Sequence, residues 1–489
     1  MHRRDVLLGP LALGACGVVP KLPDVQSLYR YTSDIDPSLR RPIVAIPGML
    51  GSRLRRGKDG PFLWGGPNRL SADPDREEDA RLIALPIGEG DEPLASLTDG
   101  VRTAGVLRQA HISLFGATLE QRVYEGMVAV LNAGGYQFSR TRQEELERLG
   151  ENPGSLEFPY DWRRDIVEAA KALHHFIERK AVQVHRVRLK RYGQAPEAAA
   201  MRFDFLTHSM GGLVLRYYLM YGDQELPADG SRPILNWAGA RRAACAIFVA
   251  PPNLGSISAF DNLVNGKTFG LFQPTYPPAL LGTHPSIYQL MPRDRHARVR
   301  LGAPDGPAMG SLYDASVWEE YGWGLMDPAQ DAVLRVIMPD ARDGAGRRKR
   351  ARAHLVRVLA RARQFHRAMD RRSTPPMTDL FLVVGSGLDT PATAVVDAGT
   401  RRVSLSGVED GDGVVLRASA LSDERQGGHV PADFRRPIQY RTVLLLPGKH
   451  VALTHNPVFA DNLLYWLLDS PRARSAGAGY TPSTAGIER

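Results

Sequence analysis

From position 41 onward, short apolar runs rich in β-branched and aromatic residues alternate with stretches whose apolar positions recur at helical spacing. The apolar runs predict strands over 42–46, 156–159, 202–206, 245–250, 380–384 and 442–446. Strands interleaved with helices argue for a mostly parallel sheet with helices on both faces, because parallel neighbours need crossover connections. The spacing predicts helices over 119–131 (LEQRVYEGMVAVL, closed by Gly134-Gly135), 210–221 and 456–468.

Two stretches break this rhythm. Residues 55–115, with Pro61-Phe62-Leu63-Trp64-Gly65-Gly66, are mixed polar and glycine-rich and read as a long excursion from the sheet. Residues 256–375 separate two strands by far more than one crossover helix needs, which predicts an inserted cap between core segments 41–255 and 376–470. Within the cap, 347–372 is arginine-rich with Leu355, Leu359, Ala362, Phe365 and Met369 on one side. Packing of that stripe on the body is the commoner use of such a helix; lying on a membrane surface is the alternative. Residues 471–489 are rich in Gly, Ser, Ala and Pro and are expected to be disordered.

A chain of 489 residues, 43% apolar, can bury a large core. Its formal charge of +9 favours anionic surfaces such as phospholipid headgroups, although the arginines are scattered, and no motif supports nucleic-acid binding. Of the two cysteines, Cys245 lies in a predicted buried strand, so pairing with Cys16 is not expected. The start, MHRRDVLLGPLALGAC, places charge, a short apolar stretch and Leu13-Gly14-Ala15 before Cys16. This resembles a lipoprotein signal over 1–15, with a linker over 16–40, and its Arg3-Arg4 pair resembles a twin-arginine export signal. The expectation is an exported protein anchored through a lipidated Cys16 on the periplasmic side of a membrane.

The sharpest chemical signal is Phe203-Asp204-Phe205-Leu206-Thr207-His208-Ser209-Met210-Gly211-Gly212-Leu213-Val214: a strand, a tight turn with serine at its apex, and an apolar helix. This is the nucleophile elbow of the α/β-hydrolase fold, with Thr207 in place of the first glycine of GxSxG. A serine hydroxyl needs a base, an acid that orients it, and donors for the oxyanion. His450, on the loop after the last predicted strand, is the first choice for the base, and His455 the second. The side chain of His208 is expected to point away. Asp410 or Asp412 in Glu409-Asp410-Gly411-Asp412-Gly413 can supply the acid, and Asp412 is favoured. The exit of the first strand, Ile46-Pro47-Gly48-Met49, would set the Met49 amide beside that of Met210 as an oxyanion hole.

Taken in chain order, these motifs resemble the lecithin:cholesterol acyltransferase and lysosomal phospholipase A2 family. They are Ile46-Pro47-Gly48-Met49-Leu50-Gly51-Ser52, Phe158-Pro159-Tyr160-Asp161-Trp162-Arg163, the Ser209 elbow, Ala250-Pro251-Pro252-Asn253-Leu254-Gly255-Ser256, Pro285-Ser286-Ile287-Tyr288-Gln289-Leu290-Met291-Pro292, Asp410-Gly411-Asp412-Gly413-Val414-Val415 and Lys449-His450-Val451. The resemblance implies Ser209 as nucleophile, Asp412 as acid, His450 as base and Met49 with Met210 as oxyanion donors. It also implies a cap that shapes an acyl-chain pocket and a lid-like excursion in which Trp64 touches lipid, with Trp162 and Arg163 as structural supports. Thr207, Pro251-Pro252 and the absence of cysteine between positions 17 and 244 depart from the animal pattern.

The expected activity is acyl transfer from a lipid ester to water or an alcohol, at a membrane surface, with no cofactor and no metal. A carboxylesterase or polyester depolymerase of the same fold, and a surface-anchored binding protein without catalysis, are the rival expectations.

Overall fold

Six strands form the centre of the protein, the inner four largely buried and the two edge strands more polar or more exposed. In the computed structural model they are β1 (Ile43–Ile46), β2 (Ser155–Glu157), β3 (Phe203–His208), β4 (Ala243–Val249), β5 (Asp379–Ser386) and β6 (Thr442–Pro447). The structure describes residues 40–469 apart from 67–70, 91, 109–110, 115–116, 121–123, 137, 139–153, 269–273, 297, 372–373 and 425–437. Cys16, the signal and linker segments before position 40 and the tail 471–489 lie outside the described residues. Among the described residues, no helix is long and apolar enough to cross a membrane.

The strands lie in the order β6-β5-β4-β3-β1-β2, and each neighbouring pair is parallel. Every residue of β3 is buried. The chain leaves β1 for β2 on one side and returns as β3 on the other. The loops after β1 and β3 therefore part at a topological switch point, where open parallel sheets place their ligands.

The helices follow local rules. Helix α1 (Glu125–Ala133) buries Met127, Val130 and Leu131. Helix α2 (Ile166–Tyr192) starts at Asp165, whose carboxylate accepts the Val167 amide at 2.6 Å, and ends at Gly193 in the left-handed region at φ 74°. Helix α3 (Met210–Tyr221) leaves directly from Ser209 and packs on α2. The predicted helix over 119–131 is too long: Ala117–Glu120 pairs antiparallel with His111–Leu114, and helix begins only at Glu125. Upstream of Met127 only Leu119 and Val123 carried the helical spacing, too few to outweigh a hairpin partner.

The excursion after β1 is itself ordered as an antiparallel sheet of Phe62–Trp64, Ser52–Arg56 and Val101–Val106. Trp64 is fully buried, donates its indole N–H to the Leu50 carbonyl at 2.8 Å and meets Trp162 edge to face with centroids 5.9 Å apart. The expected lipid contact by Trp64 is thus corrected. Its polar handle is spent inside, and the ring anchors the excursion to the core.

The chain between β4 and β5 contains helix α4 (Gly344–Met369), which starts at Asp343, whose carboxylate accepts the Gly346 amide at 2.7 Å. Leu355, Leu359, Ala362, Phe365 and Met369 are all buried, so this apolar stripe is not available to a bilayer. On its flank, Arg350 and Arg357 donate to the carbonyls of Ile87 and Glu92 at 2.5 and 2.6 Å, tying α4 to the excursion.

After β5 a hairpin of Leu388–Val396 and Val403–Gly411 projects from the sheet. The strand Val299–Leu301, from the chain between β4 and β5, pairs parallel with its first arm, and Arg298 pairs with Glu409 at 2.6 Å. The chain closes through helix α5 (Pro457–Leu464), shorter than the predicted 456–468 because the turn widens over Tyr465–Asp469.

Candidate active site

Ser209 sits between β3 and α3 at φ 52° and ψ −127°, a conformation that L residues rarely hold. Its amide donates to the Val249 carbonyl at 2.9 Å, which pins the turn to β4. Small neighbours make the turn feasible. A Cβ on Gly211 would come within 2.4 Å of the Pro47 carbonyl oxygen, and one on Gly48 within 2.8 Å of Ser209 Cβ. Thr207, where the elbow pattern has glycine, turns its hydroxyl to the Ile247 carbonyl at 3.2 Å, and its bulk is accommodated beside Gly212.

The same glycines bring the loop after β1 against the elbow. Among the described residues, neither the Met49 nor the Met210 amide donates to another protein group. Met210 opens α3, where the first amides of a helix have no internal partner. Both amides are therefore free to donate to a ligand oxygen.

Asp412 lies just beyond the hairpin arm Val403–Gly411, pressed over β5: a Cβ on Gly385 would approach its Cβ to 2.4 Å. One carboxylate oxygen accepts the Val414 and Val415 amides at 3.0 and 2.7 Å, and the other lies 2.8 Å from His450 Nδ1. Both side chains are buried, at 1% and 0% exposure. His450 Nε2 is buried and has no hydrogen-bond partner. With Nδ1–H held by a carboxylate, Nε2 presents a lone pair, the tautomer a proton acceptor needs.

The remaining candidates separate cleanly. Asp410 accepts the Gly387 amide and pairs with Arg417, away from His450. His455 turns Nδ1 to Thr454 Oγ1 at 3.1 Å and packs on Gly126. His208 does not point away as expected. Its ring lies 4.7 Å from that of His450, with Nε2 3.3 Å from the His450 carbonyl oxygen. The reason is that β3 ends one residue earlier than Ser209, so the side chain at 208 falls on the face where the His450 loop crosses.

Trp162 and Arg163 are internal supports. Trp162 donates to the Ser52 carbonyl at 3.2 Å. Arg163, fully buried, pairs with Asp161 and Asp99 at 2.7 and 2.8 Å and donates to the Leu82 and Ile83 carbonyls. Sequence reading missed Asp99 and Tyr124, since neither belongs to a motif. Among the described residues, no group of three or more His, Cys, Asp or Glu side chains is arranged to hold a metal.

The comparisons bear on this geometry. Residues 122–302 match the family model for lecithin:cholesterol acyltransferase, a span that includes the Ser209 elbow. No curated protein sequence matches the chain. Among solved structures, the Tle4-Tli4 complex is similar, with a TM-score of 0.54 at 15% identity, covering 89% of this chain and 99% of that one. Lipase 1 from Pelosinus fermentans aligns with a TM-score of 0.31 at 12% identity, over 88% of this chain and 99% of that one. The chain has an α/β-hydrolase fold, and its residues 122–302 match the family model for lecithin:cholesterol acyltransferase.

Proposed function

We propose that the chain catalyses serine-dependent acyl transfer on lipid esters through an acyl-enzyme. The observation that carries the reading is the buried Asp412–His450 pair, its Nε2 unpartnered and its ring 4.7 Å from that of His208, the residue that precedes the strained Ser209. In the proposed cycle, His450 Nε2 takes the Ser209 proton as Oγ bonds to the ester carbonyl carbon. The Met49 and Met210 amides hold the oxyanion, and His450 returns the proton to the departing alkoxide. Water or an alcohol then gives its proton to His450 and its oxygen to the acyl carbon, and Ser209 leaves with the proton. Water makes the reaction a lipase or phospholipase; an alcohol makes it an O-acyltransferase.

The substrate class is supported by the family match over 122–302. Location belongs to the same proposal: a lipid on Cys16 would hold the enzyme on the periplasmic face of a membrane, beside its esters. Fatty-acid analogue labelling of the wild type, absent from Cys16→Ser, is the result expected of that anchor.

The deciding experiment measures acyl release from phosphatidylcholine vesicles by the wild type and Ser209→Ala, with and without a long-chain alcohol or sterol. New ester that depends on Ser209 identifies a transferase, and free fatty acid alone a hydrolase. Turnover confined to soluble short-chain esters would replace the lipid reading with a carboxylesterase. No Ser209-dependent product from any ester would leave a binding protein.

A further inference from the structure

Around Ser209 runs a chain of hydrogen bonds that the acyl-transfer scheme does not use. The Gly48 amide donates to Tyr124 Oη at 2.7 Å, Tyr124 Oη lies 3.3 Å from His208 Nδ1, and His208 Nε2 lies 3.3 Å from the His450 carbonyl oxygen. Tyr124, His208 and His450 are all buried, so no solvent competes for these partners. Proton roles follow from the chemistry of each group. The Gly48 N–H occupies a lone pair on Oη, so the phenol proton goes to His208 Nδ1, and His208 Nε2–H donates to the carbonyl. One neutral tautomer of His208 satisfies every member.

Packing fixes both ends of this chain. A Cβ on Gly48 would lie 2.8 Å from Ser209 Cβ and 3.4 Å from His208 Nδ1, so the loop after β1 is seated directly on the elbow. Tyr124 immediately precedes α1, and a Cβ on Gly126 of that helix would lie 2.3 Å from His455 Cδ2. The helix is thus clamped against the turn that follows His450.

We infer that Tyr124 and His208 are positioning residues that bridge the Gly48-Met49 loop to the His450 loop, keeping the oxyanion donors and the proton-accepting imidazole at a fixed separation about Ser209. The inference rests on the acyl-transfer reading for its catalytic consequence, and on the hydrogen bonds alone for its geometry. Burial supports the assignment: it holds the His208 pKa well below the usual histidine value, with the neighbouring His450 acting in the same direction, and it pushes that of Tyr124 up. A protonated His208 would aim an N–H at Tyr124 Oη and leave the phenol proton without an acceptor.

The test combines kinetics with a spectroscopic signature. On a soluble p-nitrophenyl ester, Tyr124→Phe and His208→Phe should each lower kcat by on the order of 10- to 100-fold, the scale on which small misplacements of reacting groups act. KM should stay within about twofold, because the substrate's ground-state contacts are untouched. The double variant should be no slower than the slower single one, and His208→Gln, whose amide supplies both a donor and an acceptor, should regain part of the loss. Nitrogen-15 spectra of histidine in the wild-type protein should show His208 as the neutral Nε2–H tautomer between about pH 5 and 8. Full kcat in folded Tyr124→Phe, or losses that multiply in the double variant, would overturn the bridge. So would a His208 that titrates near its ordinary pKa or carries its proton on Nδ1, and this holds whether or not any variant folds. Absence of Ser209-dependent turnover in a wild type that shows the expected tautomer would instead overturn the acyl-transfer reading.

Discussion

His450 is bound to Asp412 twice: its amide donates to the Asp412 carbonyl at 3.0 Å, and its Nδ1 meets the Asp412 carboxylate at 2.8 Å. The backbone bond sets the loop, and the side-chain bond sets the ring within it. Orientation of the imidazole is therefore inherited from the turn after the hairpin and not from the helix that follows.

That double attachment separates the two aspartates experimentally. Asp412→Asn keeps an acceptor for the Val414 and Val415 amides but favours the wrong tautomer, and should reduce kcat by roughly ten-thousandfold, as in serine-hydrolase triads generally. Asp410→Asn should retain activity within about twofold, since Asp410 faces Gly387 and Arg417. Comparable losses in both variants would remove Asp412 from its role.

Gly211 offers a test of the elbow's packing. Alanine there would press a methyl to 2.4 Å from the Pro47 carbonyl oxygen, against backbone that cannot swing away. Overpacking of this kind costs about 1–3 kcal/mol. Urea denaturation of Gly211→Ala should show an unfolding free energy lowered by that amount, read as a lower midpoint at unchanged m, and an unshifted midpoint would mean that the loop after β1 is not seated where the structure has it.

Trp64→Phe distinguishes an internal anchor from a membrane contact. Losing the indole N–H leaves the Leu50 carbonyl without this partner, a loss of about 1–3 kcal/mol in a buried setting. Stability should drop while co-sedimentation with anionic vesicles stays at the wild-type level. Reduced vesicle binding with unchanged stability would restore the surface role.

Acid should destabilise the fold through buried neutral histidines. Burial, reinforced by the Arg163 charge, pushes His284 down to about 4, and burial with Arg357 pushes His354 to about 3. In the unfolded chain both titrate near about 6.5, so below that pH the unfolded state binds protons that the folded state refuses. Their stabilisation is complete above about pH 6.5 and is lost as pH falls from there through their depressed folded values. Urea midpoints should fall from pH 7 to pH 5, and less steeply in His284→Gln; an equal slope in that variant would assign the effect elsewhere.

The sheet was readable because β4 and most of β5 are apolar on both faces, the mark of a buried parallel strand. Ser209 was readable for a related reason, since a strand, a small-residue turn and an apolar helix must be adjacent in sequence to make the elbow. Asp412 and His450 lie 38 positions apart, and the choice between Asp410 and Asp412 depended on a single residue's direction at the end of a hairpin. Such directions are settled by what packs above them, here Gly385 and the Thr390 side chain, whose hydroxyl accepts the Gly413 amide. Trp64 and His208 were misread because a residue's chemistry was visible but its orientation was not. Tyr124 was invisible: nothing near it in sequence needs a phenol, and its partners Gly48 and His208 come from other elements.

The strand Val299–Leu301 and the ion pair Arg298–Glu409 make the inserted segment and the Asp412 hairpin one mechanical beam. An insertion between two core strands is usually regarded as an accessory that can be trimmed or exchanged. Here trimming would strip Leu388–Val396 of its outer neighbour and expose an unpaired edge, a surface prone to pairing with other chains. Displacement of the insertion would act on the hairpin that leads to Asp412, whose carboxylate holds His450. Accessory and engine are thus geared together, and shortened forms of this protein should lose the acid's alignment before they lose the serine's.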